Sequence, residues 1–518
     1  MPDSSEDLFV VDEGRNKSEA PLAHPSPART AAYYRNLYKE RLDFRTLAAE
    51  DEEFAQFTRH GNVNFRDPAA VMQLTKTLLR RDFNLEMELP SDRLCPPVPN
   101  RHAYVQWISA LLETTGLDRQ VVGADVGTGA SCIYPLLACA QHADWQFVAT
   151  DIDEKSLGYA RANVGRNSLQ NRIKVVRRTT EDTLVPIEQA GGSHGVTNGL
   201  PQTLSFVMMN PPFYSSAAEM EASASAKEQP PHTACTGAPV EMVYDGQGGD
   251  DSGSDAQGEV AFVGRMMTES LQLGGRVGWY TAMVGKLSSL VTLVERLRSP
   301  EVGVDNYAVA AFVTGSKTRR WALGWSYGAR RPTVDVARGF LGAESTLSTG
   351  FDSCRHILPP ITEVDVWSIP AAASLGSRGG SSRPSVSGIS ETVDTALQGL
   401  ELLSWEWDAR TLQGAGRARE NVWGRAWRRK KMREAAAAAA AAGTSPLDIR
   451  STVSTAATSA ADTECAFGFE VKVRVGVAET TVGCRWLEGH SEVIYQSFCG
   501  FLKTKLKEAQ STAESSKA

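Results

Sequence analysis

The feature that most constrains this fold is the alternation of β-type and helical runs after residue 120: VVGADVG, SCIYPLLACAQH, QFVATDID, EKSLGYARANVGRN and KVVRR follow one another without a break in the pattern. Strand, helix, strand in this order predicts right-handed crossovers and a parallel sheet, because a parallel neighbour can be reached only by a chain that returns over one face. Further along, LSFVMMNPPF reads as a buried strand, EVAFVGRMMTESLQL as a helix, and RVGWYTAMVGK with YAVAAFVTGSKTRRWALGWSY as a closing pair of strands. The expected core is an α/β doubly wound sheet with a terminal hairpin over residues 91–340.

Three short segments in that region carry chemistry. Asp125-Val126-Gly127-Thr128-Gly129-Ala130-Ser131 joins a strand to a helix. Its glycines let the backbone turn tightly and approach a ligand, while the acid can accept from a ligand amine. Strand-to-helix turns also use glycine for conformation alone. Asp151 ends the next strand, where a carboxylate can accept both hydroxyls of a ribose; Asp153, ahead of Glu154 and Lys155, reads instead as a helix N-cap.

Asn210-Pro211-Pro212-Phe213 is the most specific of the three. An amine conjugated to a ring is a poor nucleophile because its lone pair is delocalised. If the Asn210 side-chain oxygen and the Pro211 carbonyl each accept one N–H, the amine is held and its lone pair can turn toward an electrophilic methyl. The prolines stiffen the loop that keeps this geometry, and Phe213 can stack on an extruded base.

Around this core, 518 residues allow more than one domain, and a net charge of −7 argues against a uniformly basic coat, so any nucleic-acid surface must be local. Eight cysteines show no CxxC pair and no zinc spacing, which predicts no metal and a reducing compartment. The polar start and the lack of an 18-residue apolar run predict a soluble, intracellular protein. Residues 1–30 are expected to be disordered, 31–90 to form a small helical basic module with Val71, Leu74, Leu78 and Leu79 on one stripe, and 341–385 to be a linker. A C-terminal α+β domain over 386–516 is expected, interrupted by a low-complexity insertion at 435–463; its FGFEVKVRVGV reads as a half-buried strand and SEVIYQSFCGFLKTKLKEA as an amphipathic helix.

Together the three motifs resemble class I methyltransferases, and the Asn-Pro-Pro-Phe form resembles the group acting on exocyclic or amide nitrogens. VNFRDPAAV, LLRRDF, PPVPNRHAYVQWI, ADVGTGASCIYPLL, MNPPFY, ESLQL, WYTAMVGK and RRWALGWSY are similar to the family that methylates U6 small nuclear RNA at N6 of adenosine, over residues 31–330. That resemblance implies a Rossmann-like domain with a mixed seven-stranded sheet and S-adenosylmethionine as methyl donor. It implies Arg101, Gly127, Gly129, Ser131, Asp151 and Thr183, with Asp125 and Asn210, as the cofactor site; the family often has Glu where Asp151 stands. The insertion after Phe213 resembles a family loop that folds over the pocket.

For RNA, the resemblance and the charge pattern name Arg35, Lys39, Arg41 and Arg66 in the N-terminal module, with Tyr33, Tyr34 and Tyr38 interleaved, and Lys317, Arg319 and Arg320 beside the hairpin. NVWGRAWRRKKMR and CRWLEGHSEVIYQSFCGFLKTKL resemble the family's kinase-associated-1-like RNA-binding domain; within them Arg425, Arg428, Arg429, Lys430, Lys431 and Arg433 form a cationic block, and Trp423 and Trp427, four apart, are expected to face the core. The implied partner is a structured RNA, with no DNA and no membrane, met by a monomer in the nucleus and also in the cytoplasm. Methylation of a ribosomal guanine N2, methylation of a protein glutamine amide, and a non-catalytic splicing adaptor remain as other readings.

Overall fold

The computed structural model describes residues 29–188, 199–214, 216, 218–220, 237–244, 258–314, 318–341, 356–370, 385–442 and 465–515. The expectations for residues 1–28, for Lys317, for most of the insertion after Phe213 and for the low-complexity residues 443–463 lie outside these.

The main sheet is built from β1 (Val122–Val126), β2 (Gln146–Asp151), β3 (Ile173–Arg177), β4 (Leu204–Met209), β5 (Val277–Val284), β6 (Asn306–Thr314), β7 (Thr318–Ser326) and β8 (Arg338–Leu341). Their order is β8-β6-β7-β5-β4-β1-β2-β3. Among the described residues it has eight strands where seven were expected. The addition is the short edge strand β8, which runs parallel to β6 and pairs Arg338 with Val309. β7 lies antiparallel between β5 and β6, so the expected hairpin closes the sheet.

Strand order reverses between β1 and β4, and this opens a crevice at their carboxyl ends where ligands bind in doubly wound sheets. Helices cover both faces: α1 (Pro68–Leu78), α2 (Val98–Thr115), α3 (Ile133–Gln141), α4 (Glu154–Arg166), α5 (Gly258–Leu273) and α6 (Leu287–Arg298). The sheet is packed tightly where β1 meets β4. A Cβ on Gly123 would come within 2.4 Å of the Phe206 ring, itself wedged against Trp145 and Phe147. Gly123→Ala is therefore expected to cost about 1–3 kcal/mol of unfolding free energy in a urea titration, as overpacked cores do.

The N-terminal module is docked on this domain by its aromatics. Tyr34 is buried, stacks on Phe83 with ring centroids 5.6 Å apart and hydrogen-bonds the Ala140 carbonyl. The Tyr38 hydroxyl donates to buried Asp82 at 2.7 Å and Tyr33 lies beside the same carboxylate at 3.4 Å. The interleaved tyrosines thus serve as anchors and are not spread for RNA bases. Leu74, Leu78 and Leu79 are buried as the stripe predicted, while Val71 is half-buried.

The C-terminal sheet contains β9 (Glu363–Pro370), β10 (Ser404–Asp408), β11 (Gln413–Ala418), β12 (Phe467–Val475) and β13 (Glu479–Glu488), ordered β9-β13-β12-β11-β10. It is covered by α7 (Val386–Gln398) and, later in the chain, by α9 (Glu492–Ser515). Residues 341–385 are thus not simply a linker. One of its two apolar islands is β9, whose Val366, Trp367 and Ile369 are buried in the second core. The alanine tract begins as the continuation of α8 (Arg425–Ala442), not as a break after residue 434. The two sheets are joined through Arg331, which is 2% exposed, sits 4.1 Å over the Trp486 ring and pairs with Asp305 at 2.8 Å.

Candidate active site

A cavity of about 1450 Å³ opens at the carboxyl ends of β1, β2 and β4. Arg101, Gly127, Gly129, Ser131, Asp151, Thr183, Asn210 and Pro212 all line it, although they come from separate stretches of chain.

The glycine loop is a cradle. Gly127 and Gly129 have φ of 73° and 63°, a region that costs nothing only without a Cβ. A Cβ on Gly127 would project into open space, the room that a ligand lying close to the backbone requires. The loop is tied to β2 by the Gly127 and Thr128 N–H groups, which both donate to the Thr150 carbonyl at 3.0 and 2.8 Å. Asp151 closes the cradle: its carboxylate accepts from the Gly129 N–H at 2.8 Å and the Asp153 N–H at 2.9 Å. Burial raises its pKa against those donors. Asp153 is the N-cap of α4, accepting from the Ser156 N–H, as its spacing indicated.

Asp125 is placed differently from the expectation. It is fully buried behind the loop and does not line the cavity; its Oδ2 accepts from the Thr128 hydroxyl at 2.7 Å while Oδ1 has no partner among the described residues. Burial, with the nearby Asp151 charge, pushes its pKa up to about 7. Its role is to hold Thr128 from below. The ligand-amine role read from the sequence fails because the strand turns this side chain into the sheet.

Arg101, in the first turns of α2, is 6% exposed and reaches across the cavity floor. One of its terminal nitrogens donates to the Tyr134 hydroxyl at 2.6 Å and to Asn210 Oδ1 at 2.8 Å. Its Nε is buried with no partner among the described residues, a donor that fits an anionic group of a ligand in the cavity. Pro211 is buried and Phe213 half-buried; neither lines the cavity, and Phe213 instead lies against Gly285. Thr183 is on the wall, its hydroxyl accepting from Arg178 at 3.0 Å and donating to the Val185 carbonyl at 3.3 Å.

Sequence reasoning missed Glu241. The insertion after Phe213 returns over the pocket at residues 238–244, where Tyr214 and Val243 form a parallel bridge. Glu241 lines the cavity, accepts from the Leu94 N–H at 2.9 Å and has its pKa raised by burial. Its carboxylate also accepts from the Ala238 N–H three residues back at 3.1 Å, which reads locally only as a helix start; the bond that ties it to the pocket spans 147 residues. Met283, 3.3 Å from Arg101, was likewise invisible.

A family model described as RNA methyltransferase matches residues 28–329. The chain belongs to the RNA methyltransferase family. It is an S-adenosylmethionine-dependent enzyme, and the glycine cradle, the Asp151 carboxylate and the unpartnered Arg101 Nε are the features that fit this cofactor. The methyltransferase is 30% identical over 456 residues to the "U6 small nuclear RNA (adenine-(43)-N(6))-methyltransferase" of Schizosaccharomyces pombe, covering 87% of this chain and 96% of that protein. It is 38% identical over 303 residues to the human "RNA N(6)-adenosine-methyltransferase METTL16", covering 57% of this chain and 50% of that one. A crystal structure of the hMettl16 catalytic domain with the MAT2A 3′UTR hairpin 1 is 37% identical and covers 57% of this chain and 94% of that one, with a TM-score of 0.47.

Of the expected RNA contacts, Arg35, Lys39, Arg41, Arg66 and Arg319 are exposed and Arg320 is half-buried. In α8, Arg425, Arg428 and Arg429 are exposed, whereas Lys430 pairs with Glu420 at 3.5 Å and Lys431 with Glu401 at 2.8 Å. Trp423 is buried and Trp427 packs on the second core, as expected.

Replacing Asp151 with alanine is expected to weaken S-adenosylmethionine binding by about 10- to 100-fold in calorimetry, the loss of a charge-assisted bidentate acceptor. Unchanged affinity would remove Asp151 from the cofactor site.

Proposed function

We infer that this protein transfers the methyl group of S-adenosylmethionine to N6 of an adenosine in a structured RNA, with U6 small nuclear RNA as the substrate and the nucleus as the site of action. The observation that carries the reading is Asn210, whose side-chain oxygen is held at the cavity wall by Arg101 at 2.8 Å.

That bond decides which way the carboxamide points. Arg101 has only donors, so the group facing it must be the oxygen. A carbonyl oxygen has two acceptor positions, and Arg101 takes one. The other suits an N–H of the acceptor amine, and in this reading the second N–H goes to the carbonyl of Pro211, which lies next in the chain but does not itself line the cavity. Two acceptors set by a stiff loop hold the amine with its lone pair out of the ring plane, which is the positioning that an unreactive amine needs. Bound S-adenosylmethionine supplies an electrophilic methyl on sulfonium, so the protein's contribution is orientation and exclusion of water.

Gly127, Gly129, Ser131, Asp151, Thr183 and Arg101 hold the cofactor; Asn210, Pro211, Pro212 and Phe213 hold the base. Arg35, Lys39, Arg41, Arg66, Arg319 and Arg320 meet RNA from the catalytic half. In α8 the RNA-facing set is Arg425, Arg428, Arg429 and Arg433: at about 100° per residue they fall on one stripe about 140° wide, opposite Trp427. Lys430 and Lys431 contribute less, being paired to carboxylates of their own domain. Changing the four arginines to glutamine is expected to weaken U6 RNA binding and to flatten the plot of log K against log salt, by about one unit of slope for every phosphate that α8 then leaves unneutralised. An unchanged slope in filter binding would free α8 of that role.

The test of the whole reading is mass spectrometry of nucleosides from U6 small nuclear RNA incubated with the protein and S-adenosylmethionine. New N6-methyladenosine with the wild type and none with Asn210→Ala is expected. Its absence with cofactor binding intact would refute the acceptor.

A further inference from the structure

Phe213 is the ring on which the acceptor base is read to stack, and in this structure that ring is covered. The Arg320 guanidinium carbon lies over it, 5.6 Å from the ring centroid. We propose that Arg320 occupies the base-stacking place on Phe213 while RNA is absent, and that on RNA binding it yields this place to the target adenine and takes a backbone phosphate instead. The proposal rests on the reading that an adenosine is the acceptor.

Three observations carry it. First, the ring cannot make room by retreating. Its Cδ1–Cε1 edge sits against Gly285 so closely that a Cβ there would lie 3.0–3.1 Å away, and Gly285 is pinned by its N–H to buried Glu259 at 2.7 Å. Arg320 is the member of the pair that can move. Second, little among the described residues holds Arg320 in place. Its Nη1 donates to the Arg319 carbonyl at 3.1 Å, and the carboxylate whose field it feels, Glu259, is already taken by the Gly285 and Lys286 N–H groups. Third, its surroundings disfavour the charge: burial, and then the positive Arg101, lower its pKa. A half-buried cation facing a second cation is relieved when it swings out to a phosphate.

The chemistry of the group suits both positions. A guanidinium is flat, delocalised and weakly hydrated, so it covers an aromatic face much as a base does, and its fork of donors matches a phosphate. The exchange has a direct consequence. A stacking place filled by Arg320 for most of the time weakens any ligand that needs it by the fraction of time it is free. Part of the binding energy of RNA is then spent displacing Arg320, and part is recovered from the phosphate it meets. A lone nucleoside, which has no phosphate, meets the obstacle without the recovery.

Wild type, Arg320→Ala and Arg320→Lys, each saturated with S-adenosylhomocysteine to close the cofactor pocket, would be titrated with adenosine by calorimetry and with a U6 stem-loop RNA over a range of salt. Arg320→Ala is expected to bind the nucleoside about three- to tenfold more tightly, yet to bind RNA at least about tenfold more weakly with a salt slope smaller by about one. Arg320→Lys keeps the charge and loses the flat group, so it should keep the slope and gain nucleoside affinity. Nucleoside affinity that is unchanged or weaker in Arg320→Ala would make Arg320 a plain wall of the base pocket and overturn the exchange, as would an unchanged RNA slope. If Arg320→Ala fails to bind S-adenosylhomocysteine, Arg320→Lys decides alone: a nucleoside gain supports the exchange and no gain overturns it. Methylation of the same RNA by the wild type separates the two levels, since failure there removes the acceptor reading, whereas methylation with both ligands moving together removes only the exchange.

Discussion

Asn210→Ala is expected to lower the rate of N6 methylation at saturating cofactor and RNA by about 10²–10³-fold, comparable to removing one preorganised polar group from a reacting centre. The variant loses the acceptor that orients the amine and leaves the Arg101 guanidinium, 6% exposed, facing an empty space in place of a carbonyl. Cofactor affinity should fall by far less, because Gly127, Gly129 and Asp151 are held by bonds to β2 that do not pass through Asn210. RNA affinity should stay close to the wild type, since phosphate interactions supply most of it. An effect concentrated in kcat with KM nearly constant identifies an interaction made in the transition state. Equal weakening of RNA binding would show instead that Asn210 acts in the ground state, and the mechanism would have to be rebuilt around another group.

Asp125→Asn is expected to change how stability depends on pH. Burial raises the Asp125 pKa from its ordinary value near 3.8 to about 7 in the folded protein. Between those values the folded state binds a proton that the unfolded state has released, so stability falls as pH rises through the window. Below about pH 4 both states are protonated and the effect vanishes; above about pH 7 it is complete. A shift of about three units corresponds to at most about 4 kcal/mol. Asparagine cannot ionise, so the stability of wild type minus that of Asp125→Asn should drop by up to this amount between about pH 4 and 8 in urea titrations. The unpartnered Oδ1 position adds a constant offset that does not alter the slope. A difference independent of pH would mean that Asp125 is ionised throughout.

The strands and loops that build the site were legible in the chain because their physics is local. An apolar run fills a buried strand, glycines at 127 and 129 supply the positive φ of the turn, and two prolines stiffen the loop after Asn210. The same logic located the strand at Phe467–Val475, whose apolar side chains are buried up to Val473 and exposed at Val475. It failed where a segment draws its meaning from distant partners. β9 looked like part of a linker because eight residues flanked by Gly, Ser and Pro cannot announce that they pair with β13, more than a hundred residues later. The short edge strand β8 was missed for the same reason. Tyr33, Tyr34 and Tyr38 looked like a surface for bases since composition shows charge around them and hides the buried Asp82 that takes two of their hydroxyls.

Sequence by itself determined the chemistry available: the residue types that can cradle a nucleoside and orient an amine, and the class of sheet that presents them at its carboxyl edge. Tertiary structure alone decided which of those residues face the cavity. It turned Asp125 inward under Thr128, set Arg101 against Asn210 across 109 residues of chain, and brought Glu241 back over the glycine loop. The division follows from range. Backbone conformation and burial pattern are written in neighbouring residues, whereas a hydrogen bond between groups a hundred residues apart exists only once the sheet has closed around them.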